Sequence, residues 1–199
     1  MKIKNQPPDW YFRAYQKGGF HKKRIDKIVS MVKPNSKVLD AGCGSGIIPF
    51  LLSKKNCKIV GIDKSADCIK FASKKYNGKF LCKDLLKLNL KKKFDYIICS
   101  DVIEHFKKTD RKKLLNILDR HLKKNGYIII TFPTSFYILI EPMWKRIRKL
   151  KYPNIIFDDE EIHETVEKQE IYNELENYFF QDYGLFGLIH FIKAKKVKS

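Results

Sequence analysis

Val38-Leu-Asp40-Ala-Gly42-Cys-Gly44-Ser-Gly46 is the stretch whose reading settles the fold class. A short apolar run over 37–41 (KVLDA) ends in three glycines spaced G-x-G-x-G, and Ile47-Ile-Pro-Phe-Leu-Leu follows at once with helical spacing. Strand, glycine loop, helix is how a βαβ unit opens. Open α/β sheets bind ligands in the crevice beyond the carboxyl ends of their strands, where glycines let backbone approach the ligand. The spacing is not the G-x-G-x-x-G of dinucleotide folds, because residue 47 is Ile. Asp40 stands directly before the loop, where a carboxylate opposes a bound pyrophosphate and attracts an ammonium or sulfonium.

The same rhythm extends outward. Lys58–Ile62 (KIVGI), Lys79–Cys82, Phe94–Cys99 (FDYIIC) and Tyr127–Phe132 (YIIITF) read as further strands, with helical spacing at Ile47–Lys55, Ser65–Tyr76 and Arg111–Lys123. Lys123-Lys-Asn-Gly126 reads as a helix stop. This order implies parallel pairing through right-handed crossovers. After a helix at Gln169–Asn177, two strands at Tyr178–Tyr183 and Leu188–Lys193 are joined by Gly184-Leu-Phe-Gly187, a hairpin-length link that turns the last strand antiparallel. The expected fold is therefore α/β: a doubly wound, seven-stranded, mostly parallel sheet with an antiparallel last strand. Residues 1–199 are read as one domain, with 1–33 a helical lead-in near the first strand's carboxyl end and 134–165 a substrate-side insert or lid.

Composition bounds the function. With 199 residues and 44% apolar content the chain can bury a full core, which excludes disorder, collagen-like repeats and a disulfide scaffold. Forty-one Lys plus Arg, of which six are Arg, against 22 Asp plus Glu give a net charge of +19. Nine acids and one base fall between Asp158 and Glu176, so that segment carries −8 and the remainder +27. The start has no apolar h-region, the longest uncharged stretch is interrupted by Pro133, and the five cysteines form no C-x-x-C pair; a reducing cytoplasm is the expected compartment.

Asp63 ends the second strand, near the offset at which an acid accepts hydrogen bonds from ribose hydroxyls. A nucleoside with positive charge where NAD carries phosphates fits Asp40 and Asp63 together, and S-adenosyl-L-methionine (SAM) answers that description. Asp84, after the third strand, is placed for the adenine amino group. The alternative for these acids is a helix-capping or turn-forming role.

VLDAGCGSG (Val38–Gly46), GIDKS (Gly61–Ser65), Asp84-Leu85, FDYIICSDVIEHF (Phe94–Phe106) and GYIIITFP (Gly126–Pro133) resemble the ordered motifs of the class I SAM-dependent methyltransferases. The resemblance covers about Phe20 to Ala194, and DVIEHF looks most like the methyltransferase type 11 branch that holds quinone-biosynthesis O-methyltransferases. It implies SAM held by Asp40, Gly42, Cys43, Gly44, Gly46, Asp63, Lys64, Asp84, Leu85 and Ser100, with the methionyl group near Asp40 and Gly42. Lys64 departs from the pattern, since relatives often place an apolar residue there against adenine; a Lys stem can still cover the ring.

A sulfonium methyl is already electrophilic, so an enzyme mainly aligns the acceptor and removes water. A hydroxyl acceptor also benefits from a base. Asp101, Glu104 and His105 sit after the fourth strand at i, i+3, i+4, one face of a helical turn, which makes His105 and Glu104 the catalytic candidates. Similar E-x-x-E-H clusters hold a divalent metal in quinone and small-RNA O-methyltransferases. Here the first acid is the shorter Asp101 and a further ligand such as His163 would have to join it, so no metal is assigned and a structural loop stays open as a reading. No N/D-P-P-Y motif follows the fourth strand, which disfavours DNA-adenine and protein-glutamine methylation.

The insert carries Met143, Trp144, Ile147 and Leu150 on one helical face and Lys145, Arg146, Arg148 and Lys149 on the other. That pattern suits a lid over the substrate, a peripheral membrane contact through 142–151, or a nucleic-acid surface. The leading expectation is methyl transfer from SAM to a small-molecule or lipid-like acceptor, at oxygen. An RNA methyltransferase using the basic surface is the alternative, disfavoured by the preponderance of Lys over Arg; a non-catalytic SAM-fold partner protein is a minor one.

Overall fold

A computed structural model describes residues 8–140, 143, 165–186 and 188–197. Seven strands form one sheet: β1 (Lys37–Ala41), β2 (Lys58–Asp63), β3 (Lys79–Cys82), β4 (Phe94–Ser100), β5 (Leu122–Pro133), β6 (Tyr178–Phe186) and β7 (Ile189–Lys196). The spatial order is β3-β2-β1-β4-β5-β7-β6, with β7 antiparallel to both neighbours and the other pairings parallel. The direction of winding reverses at β1/β4, so the carboxyl ends of those two strands open onto a crevice. Helices α1 (Trp10–Gln16), α2 (Gly19–Ser30), α3 (Ile47–Ser53), α4 (Ala66–Lys75), α5 (Lys108–His121) and α6 (Lys168–Glu174) complete the labelled elements.

Alternation along the central strands splits the core in two. Leu39, Ile97, Cys99, Ile128 and Ile130 pack with Leu114, Leu115 and Leu118 of α5 and Ile171 of α6. Their strand neighbours Val38, Tyr96, Ile98 and Ile129 pack with Ile25 and Ile28 of α2 and Ile47 and Leu52 of α3. A period of 2 in fully apolar strands is what lets one sheet bury both faces.

Element ends shift by a few residues, as at β5, β7 and α6, and three differences from the sequence expectation have a clear physical cause. The lead-in is two helices, because Gly18 and Gly19 both take positive φ and break the run. Helix α5 ends at His121, two residues before Lys123, because Leu122 is drawn fully into the core and pairs with Phe94 of β4. In the tail, Gly184 is not in a turn: β6 runs on to Phe186, and Gly184 sits at a register irregularity opposite Phe191.

Helix α2 lacks a glycine stop. Its last carbonyls are taken by two lysines from other elements: Lys55 donates to Val29 (2.9 Å) and to Val32, and Lys193 to Met31 (3.1 Å). Cations at a helix carboxyl end complement its dipole. These contacts hold α2, and with it Arg24, over the carboxyl end of β1. Among the described residues no helix is long and apolar enough to cross a membrane.

Candidate active site

A cavity of about 570 Å³ lies at the carboxyl ends of β1, β2, β3 and β4. Asp40, Gly42, Cys43 and Gly44 line it from the first connector, Asp63 and Lys64 from the second. Asp84, Leu85, Ser100 and His105 reach it from the third and fourth. The structure thus brings together ten of the twelve residues singled out above.

Asp40 is 2% exposed, and its Oδ2 has no hydrogen-bond partner among the described residues. Burial, reinforced by the nearby Asp63 charge, pushes its carboxyl up to about 8. An acid kept in such a place without a donor is strained unless a cation or a donor from a ligand meets it. The loop beside it is tight. Gly42 has φ +85, and a Cβ there would lie 2.2 Å from Val102 Cγ2. Backbone and ligand space therefore meet at a point where only glycine fits.

Asp63 is satisfied where Asp40 is not. One of its oxygens accepts from the Gly44 N–H and the other from the Ser65 N–H, each at 2.8 Å. Asp63 is thus both a turn former and a brace for the glycine loop. A carboxylate has about four acceptor sites, so two remain for hydroxyl donors. Asp84 caps the short 3₁₀ turn at Leu85–Lys87 by accepting from Leu86 N–H at 2.9 Å, again with capacity to spare.

Two of the expected residues fall outside the lining. Gly46 caps α3 and is covered by Ala72, Phe80 and Tyr76 rather than facing the cavity. Glu104 is 3% exposed, whereas His105 is exposed and lines the cavity. Asp101 takes positive φ and Val102 is not helical, so the 3₁₀ turn spans only Ile103–His105 and does not carry Asp101 onto one face with the two residues after it. The shared face of Asp101, Glu104 and His105 is thus not observed.

Asp101 instead belongs to a buried network. It takes a positive φ of 53, forms an ion pair with Arg24 of α2, and accepts from Thr131 Oγ1 at 3.1 Å; Thr131 also bonds Ser100 Oγ at 2.8 Å. Arg24 is 6% exposed, burial lowers its pKa, and the charge of Glu104 acts on it too. Arg24 and Tyr11, both in the cavity wall, escaped the reading of motifs because they come from the lead-in helices. One signal was present: Arg24 is one of six arginines in a chain that otherwise uses Lys, and Arg111, another, is also buried, donating to the Thr165 carbonyl at 2.9 Å and paired with Glu170. His163 and 144–151 lie outside the described residues.

Even without the raised Asp40, the four acids Asp63, Asp67, Asp84 and Asp101 outnumber Arg24, Lys64 and Lys83, so the wall is acidic within a basic protein. That balance suits a cationic nucleoside and opposes a polyphosphate.

A family model described as a methyltransferase domain matches residues 32–177. The ubiquinone biosynthesis O-methyltransferase of Rickettsia canadensis (strain McKiel) is 34% identical over 114 residues, 54% of this chain and 48% of that protein. The chain spans about half the length of the curated relatives it matches first. Among solved structures, magnesium protoporphyrin IX methyltransferase from Synechocystis PCC 6803, with bound SAH, superposes with a TM-score of 0.69 at 20% identity, covering 94% of this chain and 93% of that one. N-methyltransferase NodS from Bradyrhizobium japonicum WM9, in complex with S-adenosyl-l-homocysteine, gives 0.70 at 14% identity, covering 98% and 94%. At such identities the two structures speak for the fold.

Proposed function

The chain belongs to the methyltransferase domain family, in the class I SAM-dependent group, and from that membership we propose that it methylates a small or lipid-like acceptor at oxygen. The single observation that carries the cofactor assignment is the buried Asp40, with no partner for its Oδ2, beside a glycine loop braced by Asp63. When bound, SAM supplies a methyl carbon made electrophilic by a positive sulfur. Asp40 receives the cationic methionyl end, which offsets the cost of its buried charge. Gly42 and Gly44 let the ligand lie against backbone, and Asp63 accepts from the ribose hydroxyls with its unused lone pairs. Leu85, which is buried, and the Lys64 stem both line the cavity and would supply the apolar contact to the adenine.

On the acceptor side, His105 at the cavity mouth takes the hydroxyl proton as the oxygen becomes a nucleophile. The apolar acceptor is supported by the stretch after β5. Helical backbone over 135–140 exposes Phe136 and Leu139, and Tyr137 is close enough to Arg24 to act on its charge. Because β5 runs parallel to β4, this exposed apolar stretch leaves the carboxyl edge of the sheet onto which the cavity opens, and on that ground the insert over 134–165 is assigned to acceptor binding. The named relative, an O-methyltransferase of ubiquinone biosynthesis, supports oxygen as the acceptor atom.

Calorimetric titration of the full chain with SAM tests the cofactor site. Saturable binding that Asp63→Ala weakens at least about tenfold is expected; unchanged binding overturns the ribose assignment. Transfer of labelled methyl from SAM to a catechol bearing an isoprenoid tail tests the acceptor class. Turnover on amines but not on such phenols would overturn O-methylation.

A further inference from the structure

A second groove, of about 820 Å³, runs between residues 86–90 and α5 and takes no part in the site above. It adjoins that site through the chain: Leu85 lines the first cavity and Leu86 the groove, Phe106 the first and Thr109 the groove. Its floor includes the buried Leu88 and Ile117. His121 staples the two walls together, for its Nε2 accepts from Leu90 N–H at 2.8 Å while Nδ1 meets the Ile117 carbonyl at 2.7 Å, which requires the neutral ring protonated at Nδ1.

The charges in this groove are sorted. Lys87, Lys112, Lys113 and Arg120 line it, and no Asp or Glu does. Helix α5 carries two acids, yet Asp110 is not in the lining, and Asp119 is turned to Tyr178 (2.5 Å) and Lys196 (2.8 Å). Of the five Lys and Arg of α5, Lys112, Lys113 and Arg120 line the groove while Lys108 and Arg111 do not, and neither of its two acids does. Lys112 and Lys113 stand eight and seven residues before Arg120, which spreads their charges over about 12 Å at 1.5 Å per residue. Asn89, Asn116 and Thr109 add neutral donors between them. Lys112 meets Glu174 at 3.4 Å with its own side chain 69% exposed, a contact readily exchanged for another anion.

We propose that this groove is a second ligand site, which takes a chain of phosphates along α5. Spaced lysines and amide donors are what hold successive phosphates in place. The lining contains no Phe, Tyr or Trp, and its one imidazole, His121, is buried with both ring nitrogens bonded, so the groove offers no open ring for stacking on bases or for the aromatic anchor of a protein interface. The inference is independent of the methyl-transfer reading, since no groove residue touches the SAM cavity.

The test is fluorescence anisotropy of the full chain with a labelled oligouridylate, over a salt series, with tripolyphosphate as competitor. The Lys112→Ala/Lys113→Ala/Arg120→Ala variant should bind at least about tenfold more weakly at low salt, with a log–log salt slope shallower by about 2, the loss of three single-strand phosphate contacts. Lys58→Ala/Lys70→Ala/Lys74→Ala removes three exposed charges elsewhere and should weaken binding less than about twofold. SAM affinity, unchanged in both variants, verifies that each is folded. Competition by tripolyphosphate at matched phosphate supports the site with a small polyphosphate as ligand; binding without that competition supports it with a nucleic-acid backbone. Equal weakening by the two triple variants, or no saturable binding of either probe at about 50 mM salt, overturns the proposal.

Discussion

Two connectors leave the carboxyl edge of the sheet side by side, one after β1 and one after β4, and they are held by different forces. The first, Gly42–Gly46, is set by what its own backbone requires: positive φ at three glycines and no room for a Cβ at Gly42. The second, from Asp101 onward, is set by a distant partner. Asp101 is kept at positive φ by Arg24, from a helix far upstream, and by Thr131 of β5. The two connectors touch where Val102 fills the space above Gly42. The same contrast separates the two acids of the cavity, since Asp63 is satisfied by local backbone donors while Asp40 Oδ2 has no partner among the described residues. Local demands leave marks in a sequence; a partnership between distant residues leaves none on either residue alone.

The largest expected effect concerns Asp40. In the folded protein it holds its proton up to about pH 8, whereas an unperturbed Asp ionises near about 4. Between those values the folded state binds the extra proton. Its contribution is therefore full below about pH 4 and falls by about 1.4 kcal/mol per pH unit as pH rises toward 8. Asp40→Asn should flatten this slope, on the order of 4 kcal/mol between pH 5 and 8 in urea denaturation of the ligand-free protein. It should at the same time weaken SAM binding. Parallel pH profiles in the variant and the parent would remove the distinction between Asp40 and Asp63.

Next in size is Gly42→Ala, expected to cost about 3 kcal/mol through φ and overpacking, with SAM binding lost. Adding Val102→Ala should recover part of it, because the clash is with that side chain. A single-variant cost under about 1 kcal/mol would show that the connectors do not constrain each other. For His105→Ala, turnover should fall about a hundredfold, or about 2.7 kcal/mol, with SAM affinity nearly intact; a matching fall in affinity would place His105 in cofactor binding instead. The smallest effect is Arg24→Met, about 2 kcal/mol of stability, of which the further change Asp101→Asn should restore about half. Additive effects in that cycle would mean that the β4 connector is not held by the pair.

Much of the frame was legible because it rests on local pattern. β3 was read with its observed ends, and β1 likewise, since short apolar runs between turn residues mark strands. Asp40, Asp63 and the glycines were legible through their offsets from strand ends. The end of α5 was not, because the core's claim on Leu122 outweighs the Lys123–Gly126 stop. Gly184 was read as a turn because glycine suits both a turn and a bulge, and only pairing with β7 decides between them. Asp101, Glu104 and His105 were read as sharing a face because i, i+3, i+4 spacing presupposes a continuous helical turn, and the positive φ of Asp101 keeps it out of the short turn at Ile103–His105.

By itself, then, the sequence determined the α/β class, the strand order along the chain, the antiparallel last strand and the acids Asp40, Asp63 and Asp84 that line the cavity. Each of these follows from residues near in sequence, whose periodicity and conformational limits are intrinsic to them. Tertiary structure alone decided that Arg24 secures Asp101, that Asp40 Oδ2 has no donor among the described residues, and that Lys112, Lys113 and Arg120 of α5 gather against residues 86–90 while its Asp119 turns away. Those outcomes depend on which side chains meet after the layers close, when burial raises the cost of every unpaired charge and so selects each partner.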